Sequence, residues 1–257
     1  MKQLKRMMIL FWSIFGLISS PISVFAIGEA ILVERLPSDE SAFVQGFELL
    51  DDGTLLISTG LYGQSRIQTL SPKNGKVKVQ AKLDSDLFGE GITSTDTAIW
   101  QLTWKEGVAF KRDKKNLSHS TPYYFDGEGW GLAYDSNEKV LWHSDGTSRL
   151  MKRSADNFEL LDTITVKDGF LELSNINELE FANDAIYANI WHTNVIVKID
   201  TQTGEVVKKW DLTSLVQTLK FEEENVNRVL NGIAHIEDNL FYVTGKLYPE
   251  IWKVNLQ

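Results

Sequence analysis

The 257-residue sequence contains no cysteine. That absence removes thiol nucleophiles, cysteine-ligated zinc, iron–sulfur clusters and disulfide staples in one step. A chain of this length buries enough surface to fold without staples. Histidine is scarce: His119, His143, His192 and His235 lack close metal-ligand spacing, so no metal or other cofactor is expected. No G-x-S-x-G marks a serine hydrolase, and SPKNGK and DTQTGE read as loop turns rather than phosphate loops. Lysine and arginine total 26 against 35 Asp and Glu, and the net charge of −9 argues against a nucleic-acid or anionic-membrane partner. Helical periodicity is also missing outside the N-terminal run. The exception is LTSLVQTLKF, which predicts a short helix or an insertion.

Tryptophan, by contrast, is plentiful at eight residues, and large aromatics either fill cores or line pockets. A composition of 43% hydrophobic and 24% charged residues fits a soluble globular protein with a sizeable core. The N-terminus runs from basic MKQLKRMM through apolar ILFWSIFGLI to Val24-Phe25-Ala26. This is the layout of a signal peptide over residues 1–26, with cleavage after Ala26 and export to the periplasm or the outside. An uncleaved anchor is the other reading of the same run. The run is short for a membrane span, so no stable membrane insertion is expected after processing. Residues 27–257 would then form a single domain. Without an evident contiguous apolar surface, a monomer is expected.

The stretch DLFGEGITSTD places Glu90 between two glycines at the start of an apolar run, as if something must approach the backbone there. The same layout recurs. QGFELLDDGTLLISTG, EGITSTDTAIWQLTW, WGLAYDSNEKVLWHSDG, NELEFANDAIYANIW and NGIAHIEDNLFYVTGK begin at Gln45, Glu90, Trp130, Asn177 and Asn231. Each has a lead residue, an apolar strand, a polar turn and a second apolar strand, and most are followed by two further strands. The spacing, about 40–50 residues, is that of four-stranded propeller blades. The architecture predicted is all-β, a five-bladed propeller. Its fifth unit stops one strand short at Gln257, while EAILVERLP, residues 29–37, has no unit of its own. That N-terminal strand is therefore expected to complete the last blade, leaving no long open edge.

In a propeller the lead residues form one ring at the channel mouth, and the ends of the second strands return to the same level. The second ring comprises Thr59, Trp104, Asp145, Trp191 and Lys246. Glu90 is then one of about ten side chains converging on a concave site with indole walls and a few placed polar groups, the usual form of a small-ligand pocket. Each member has a plainer reading. Glu90 could bind channel water, the tryptophans could pack between blades, Asp145 in SDGTS could cap a turn, and Lys246 could be a solvated rim charge.

The series FVQGF, STGLYGQS, FGEGIT, QLTWKEG, GEGWGL, SDGTS, NELE, YANIWHT, LNGIA and VTGKLYP resembles the plant and bacterial type of glutaminyl-peptide cyclotransferase over roughly residues 30–257. The resemblance implies a five-bladed propeller that converts the N-terminal glutamine of a peptide or protein to pyroglutamate, releasing ammonia. Carried over, it places Glu90, Lys246 and Asn177 as catalytic residues. Gln45, Phe43, Phe88, Trp104, Trp130 and Trp191 become the substrate-binding wall. The chain departs from the family pattern at Val44, Ile57 and His192. In the chemistry this implies, Glu90 relays the proton, Gln45 and Asn177 hold the substrate amide and oxyanion, and Lys246 assists. The residues alone also fit a non-catalytic propeller that captures a peptide N-terminus or a sugar, or a metal-dependent propeller hydrolase or lactonase.

Overall fold

The computed structural model describes residues 27–221 and 225–257; the signal segment read from the sequence lies outside the described residues. Each repeat forms an antiparallel sheet. Blade one comprises Val44–Leu49, Leu55–Thr59, Arg66–Leu70 and Val77–Lys82. Blade two comprises Gly89–Ser94, Ala98–Thr103, Val108–Asp113 and Ser120–Tyr124. Blade three comprises Leu132–Asp135, Val140–Ser144, Arg149–Ser154 and Leu160–Thr165. Blade four comprises Ile176–Ala182, Ala185–Ile190, Val195–Asp200 and Val206–Asp211. Blade five runs Leu230–Glu237, Leu240–Gly245, Glu250–Leu256 and, outermost, the N-terminal strand Ala30–Pro37. The five innermost strands touch one another in chain order, and the last closes on the first.

Burial falls from the axis outward. The second strands Leu55–Thr59 and Ala98–Thr103 are buried on both faces, because each lies between two neighbouring sheets. The outer strand Val77–Lys82 is mostly exposed. Continuous apolar sequence near the axis and alternating sequence at the rim follow from that placement. Trp100, Trp142, Trp210 and Trp252 are fully buried and anchor the core between blades. Half of the tryptophan content is thus structural.

Both ends of the described segment are tied into the ring. Ala30–Pro37 pairs antiparallel with Glu250–Leu256, from Ala30 opposite Leu256 to Pro37 opposite Glu250. Ile27–Gly28 passes onto blade four, parallel to its outer strand. Glu29 and Gln257 exchange backbone hydrogen bonds of 3.1 and 2.9 Å, and the Trp210 indole donates to the Gln257 carbonyl at 2.9 Å. The LTSLVQTLKF stretch contributes one short helix, Thr213–Val216. No helix among the described residues is long and apolar enough to cross a membrane.

Candidate active site

The lead residues reach the channel mouth because the ladder slips beneath them. Register shifts fall between Val44 and Gly46, Gly89 and Ile92, Ile176 and Leu179, and Leu230 and Ile233. Four of the five lead positions therefore sit on bulges, which re-aim a side chain out of the regular pleat. The flanking glycines answer a packing demand from the next blade. A Cβ on Gly91 would lie 2.6 Å from the Trp130 carbonyl oxygen and 2.7 Å from the Leu132 nitrogen. The Gly91 N–H donates to that same Trp130 carbonyl at 2.7 Å. What approaches the backbone at Glu90 is the neighbouring inner strand.

The nine residues named from the resemblance line one cavity of 280 Å³, together with Leu61 and Asn227. Phe88 packs edge-on to Phe43 and against Trp104, with centroids 6.3 and 5.4 Å apart. Trp130 and Trp191 meet at 88° with centroids 5.3 Å apart. Such walls enclose a slender side chain rather than offering one flat platform. His192 and Leu247 each follow a pocket residue directly and have φ of 61° and 58°. These left-handed residues turn the chain so that Trp191 and Lys246 face the mouth, at a cost of about 1 kcal/mol each. The departure His192 stacks on Trp191, centroids 4.0 Å apart, and the departure Ile57 is buried in the core of blade one.

Glu90 is buried, and burial pushes its carboxyl well above the ordinary range; Lys246 pulls it back, while Glu128 and Glu106 push it further up. The Gln45 amide donates to Glu90 Oε1 at 2.8 Å. Lys246 is also buried, which lowers its ammonium to about 8 against the opposing pull of Glu90. Its Nζ sits 5.0 Å from the Phe43 ring centroid, and it forms no direct ion pair with Glu90 among the described residues. Among the described residues, Gln45 Oε1 and Asn177 Oδ1 are buried acceptors without a hydrogen-bond partner. One N–H of the Gln45 amide serves Glu90, and the Gln45 oxygen is left free to accept. Among the described residues, no cluster of three or more His, Asp and Glu is placed to hold a metal ion.

Three of the ten ring positions do not face the cavity. Asn231 donates to the Val44 carbonyl at 3.0 Å and joins blade five to blade one. Thr59 bonds back to Arg66 across its own hairpin. Asp145 accepts from Thr147 and Arg149 within its turn, the plainer reading of SDGTS. Conversely, Leu61 and Asn227 lie outside both rings, in connections that the repeat phase does not reach. Two rim carboxylates were also missed. Glu106 accepts the Tyr62 hydroxyl at 2.7 Å and the Phe88 N–H at 3.3 Å. Glu128 accepts both the Trp104 and Trp130 indoles. A signal for Glu128 existed: Gly127-Glu128-Gly129 repeats the triplet Gly89-Glu90-Gly91.

Relatives match this arrangement. A curated glutaminyl-peptide cyclotransferase of Arabidopsis thaliana is 35% identical over 235 residues, covering 90% of this chain and 72% of the relative. The crystal structure of Myxococcus xanthus glutaminyl cyclase superposes with a TM-score of 0.80 at 32% identity, over 90% of this chain and 97% of that one. The PQQ-bound aldose sugar dehydrogenase of Streptomyces coelicolor, at 10% identity and a TM-score of 0.54, covers 90% of this chain and 99% of its own and shares the fold alone. The family model described as glutamine cyclotransferase matches residues 14–256. Five blades of the expected spacing and matches of this extent give one conclusion: the chain belongs to the glutamine cyclotransferase family.

Proposed function

We propose that the protein cyclises the N-terminal glutamine of peptides and proteins to pyroglutamate, with Glu90 as the general acid–base. The observation that carries the reading is a buried carboxyl of raised proton affinity in an indole-walled cavity, with a buried lysine lining the same cavity.

The reaction closes a five-membered ring inside one residue. The neutral α-amine attacks the γ-carboxamide carbon, forming the C–N bond and pushing charge onto the amide oxygen. The Glu90 carboxylate takes a proton from the attacking nitrogen and hands it to the departing nitrogen, and the C–N bond to that nitrogen breaks to release ammonia. Atoms and protons balance with no co-reactant. One group serves both steps, which general acid–base catalysis allows when its proton affinity lies near that of its partners. An α-amine titrates at about 7.7–8.0, and burial moves Glu90 toward that range. The free oxygens of Gln45 and Asn177 accept the substrate's N–H groups. Lys246 is the cation available to the developing oxyanion. The aromatic walls hold the folded rotamer and exclude water, favouring cyclisation over hydrolysis to glutamate.

Incubation with a Gln-initiated dipeptide is expected to release ammonia and pyroglutamyl dipeptide in equal amounts, and an Asn-initiated control to release neither. Binding of the Gln dipeptide without ammonia release would replace this reading with that of a binding propeller.

A further inference from the structure

We infer that Glu128 is a positioning residue of this site: one of its carboxylate oxygens ties together the indole walls that two successive blades contribute to the cavity. Trp104 ends the second strand of blade two, and Trp130 opens blade three. Both indole N–H groups donate to Glu128 Oε2, at 2.8 and 3.0 Å. An indole N–H has a single donor and no acceptor. One charged acceptor shared by two indoles fixes their relative placement more firmly than packing between apolar faces, which has no preferred azimuth.

The carboxylate is itself held in place. The Gly129 N–H donates to the Trp104 carbonyl at 2.8 Å, drawing the loop onto blade two. A Cβ at Gly129 would lie 2.4 Å from the Thr103 carbonyl oxygen, and Gly127 has φ of 95°, so the loop needs both glycines. The other anchor is His143. Its Nδ1 accepts the Arg153 Nε–H at 3.0 Å, which leaves Nε2 carrying the proton, and Nε2 donates to the Glu128 carbonyl at 3.0 Å. Burial and the Arg153 charge hold this imidazole neutral by lowering it to about 3. Backbone and side chain of Glu128 thus serve the same walls. Its remaining oxygen lies 3.8 Å from Lys105 Nζ, a partly exposed pair that leaves the negative charge largely uncompensated.

That charge acts on the proposed acid–base. The ionisable groups acting on Glu90 are Lys246 from blade five, Glu106 between the second and third strands of blade two, and Glu128 from the connection into blade three. Removing the Glu128 charge lowers the proton affinity of Glu90 and moves the acid limb of kcat to lower pH. Loss of the same charge also lowers the proton affinity of a bound substrate amine, so both groups move the limb in one direction and the shift reports the Glu128 charge at the site.

The kinetic part of this inference rests on the proposed cyclisation, and the geometric part does not. E128Q keeps an acceptor oxygen for both indoles and removes the charge; E128A removes both. E128Q is expected to retain KM within about twofold and parental tryptophan fluorescence, with its acid limb shifted down. E128A is expected to raise KM roughly tenfold, as for a lost hydrogen bond to a charged group, and to red-shift the fluorescence. E128A and E128Q agreeing in KM and in emission would overturn the positioning role, and an unmoved acid limb in E128Q would overturn the action of the Glu128 charge on Glu90. Should E128A fail to fold, E128D, which keeps the charge and shortens the reach to the indoles, is expected to raise KM with the acid limb in place, and a parental KM and emission in E128D would overturn the positioning role. Should the parent release no ammonia, the cyclisation reading fails, and the fluorescence of the two variants still decides the geometry.

Discussion

Glu90 and Glu178 are both buried along the axis of this ring, and burial raises the proton affinity of each. Glu90 stands at the mouth. Glu178 occupies the position after the lead residue of blade four, where the other blades have Gly46, Gly91, Gly131 and Gly232. Both oxygens of Glu178 are occupied: Oε1 accepts the Phe47 N–H of blade one at 3.2 Å, and Oε2 accepts the Ile233 N–H of blade five at 2.8 Å. Its neighbours behave likewise, Glu48 receiving Ser94 and Thr93 of blade two, and Glu180 receiving His235 of blade five. Among the described residues, Glu90 has only the Gln45 amide, on Oε1. Burial alone does not make an acid–base catalyst. What distinguishes the two is an oxygen with nothing bound to it, open to a cavity.

The same substitution at the two sites separates these roles. Glu90→Gln is expected to lower kcat by about 10²–10⁴-fold, the size usual for a positioned proton-transfer group. The melting temperature is expected to change little, since the new amide oxygen still accepts from Gln45. A variant retaining more than about a tenth of the rate would remove Glu90 from the proton relay.

Glu178→Gln is expected to do the reverse. Either amide orientation sets an NH₂ group against a backbone N–H, so stability is expected to fall by about 1–3 kcal/mol, with kcat per folded molecule within twofold of parent. Denaturant titration measures the first quantity and active-site-normalised turnover the second. The pH dependence has a definite sign. A carboxyl whose folded proton affinity is raised contributes stability that is fully present below its unfolded value of about 4.3 and is lost as pH rises through the folded value. The gap between parent and Glu178→Gln is therefore expected to narrow toward alkaline pH. A constant gap would mean that Glu178 is ionised throughout, held so by its two N–H donors.

The sequence carries the blades clearly because each one repeats the same physical problem. The inner strands read as continuous apolar runs, and the turns between them are rich in Asp, Asn and Gly. Trp104, Trp191 and Lys246 were legible as pocket residues because repeat phase fixes the level of a residue along the axis. Phase does not fix where the side chain points. A bulge at Asn231 directs its amide into the joint with blade one, and the hairpin at Thr59 closes on itself. Leu61 and Asn227 lie in connections whose lengths differ between blades. Glu106 stands two residues after Trp104 and Glu128 two before Trp130, as Phe88 stands before Glu90, so phase fixed their level and left their partners unmarked. The bridging role of Glu178 was half visible in NELE, where a glutamate replaces the glycine of the other units.

Asp145 offers the smallest and most discriminating comparison, because it shares the register position of Trp104, Trp191 and Lys246 and faces elsewhere. Burial raises its carboxyl, and the bonds from Thr147 and Arg149 more than reverse that, leaving it below the ordinary range. Asp145→Asn keeps an oxygen for the Thr147 N–H and loses only the pairing with Arg149, whose side chain is 55% exposed. The Asp145 side chain is only 8% exposed, so a stability change of about 1–2 kcal/mol is expected, above that of a fully exposed ion pair, with kcat/KM within twofold of parent. Lys246 is buried within the cavity, so its removal is expected to slow the proposed reaction. If Asp145→Asn instead slowed turnover tenfold while melting normally, register position alone would be enough to confer a role in the site, and orientation would not be what separates the pocket residues from the rest of the ring.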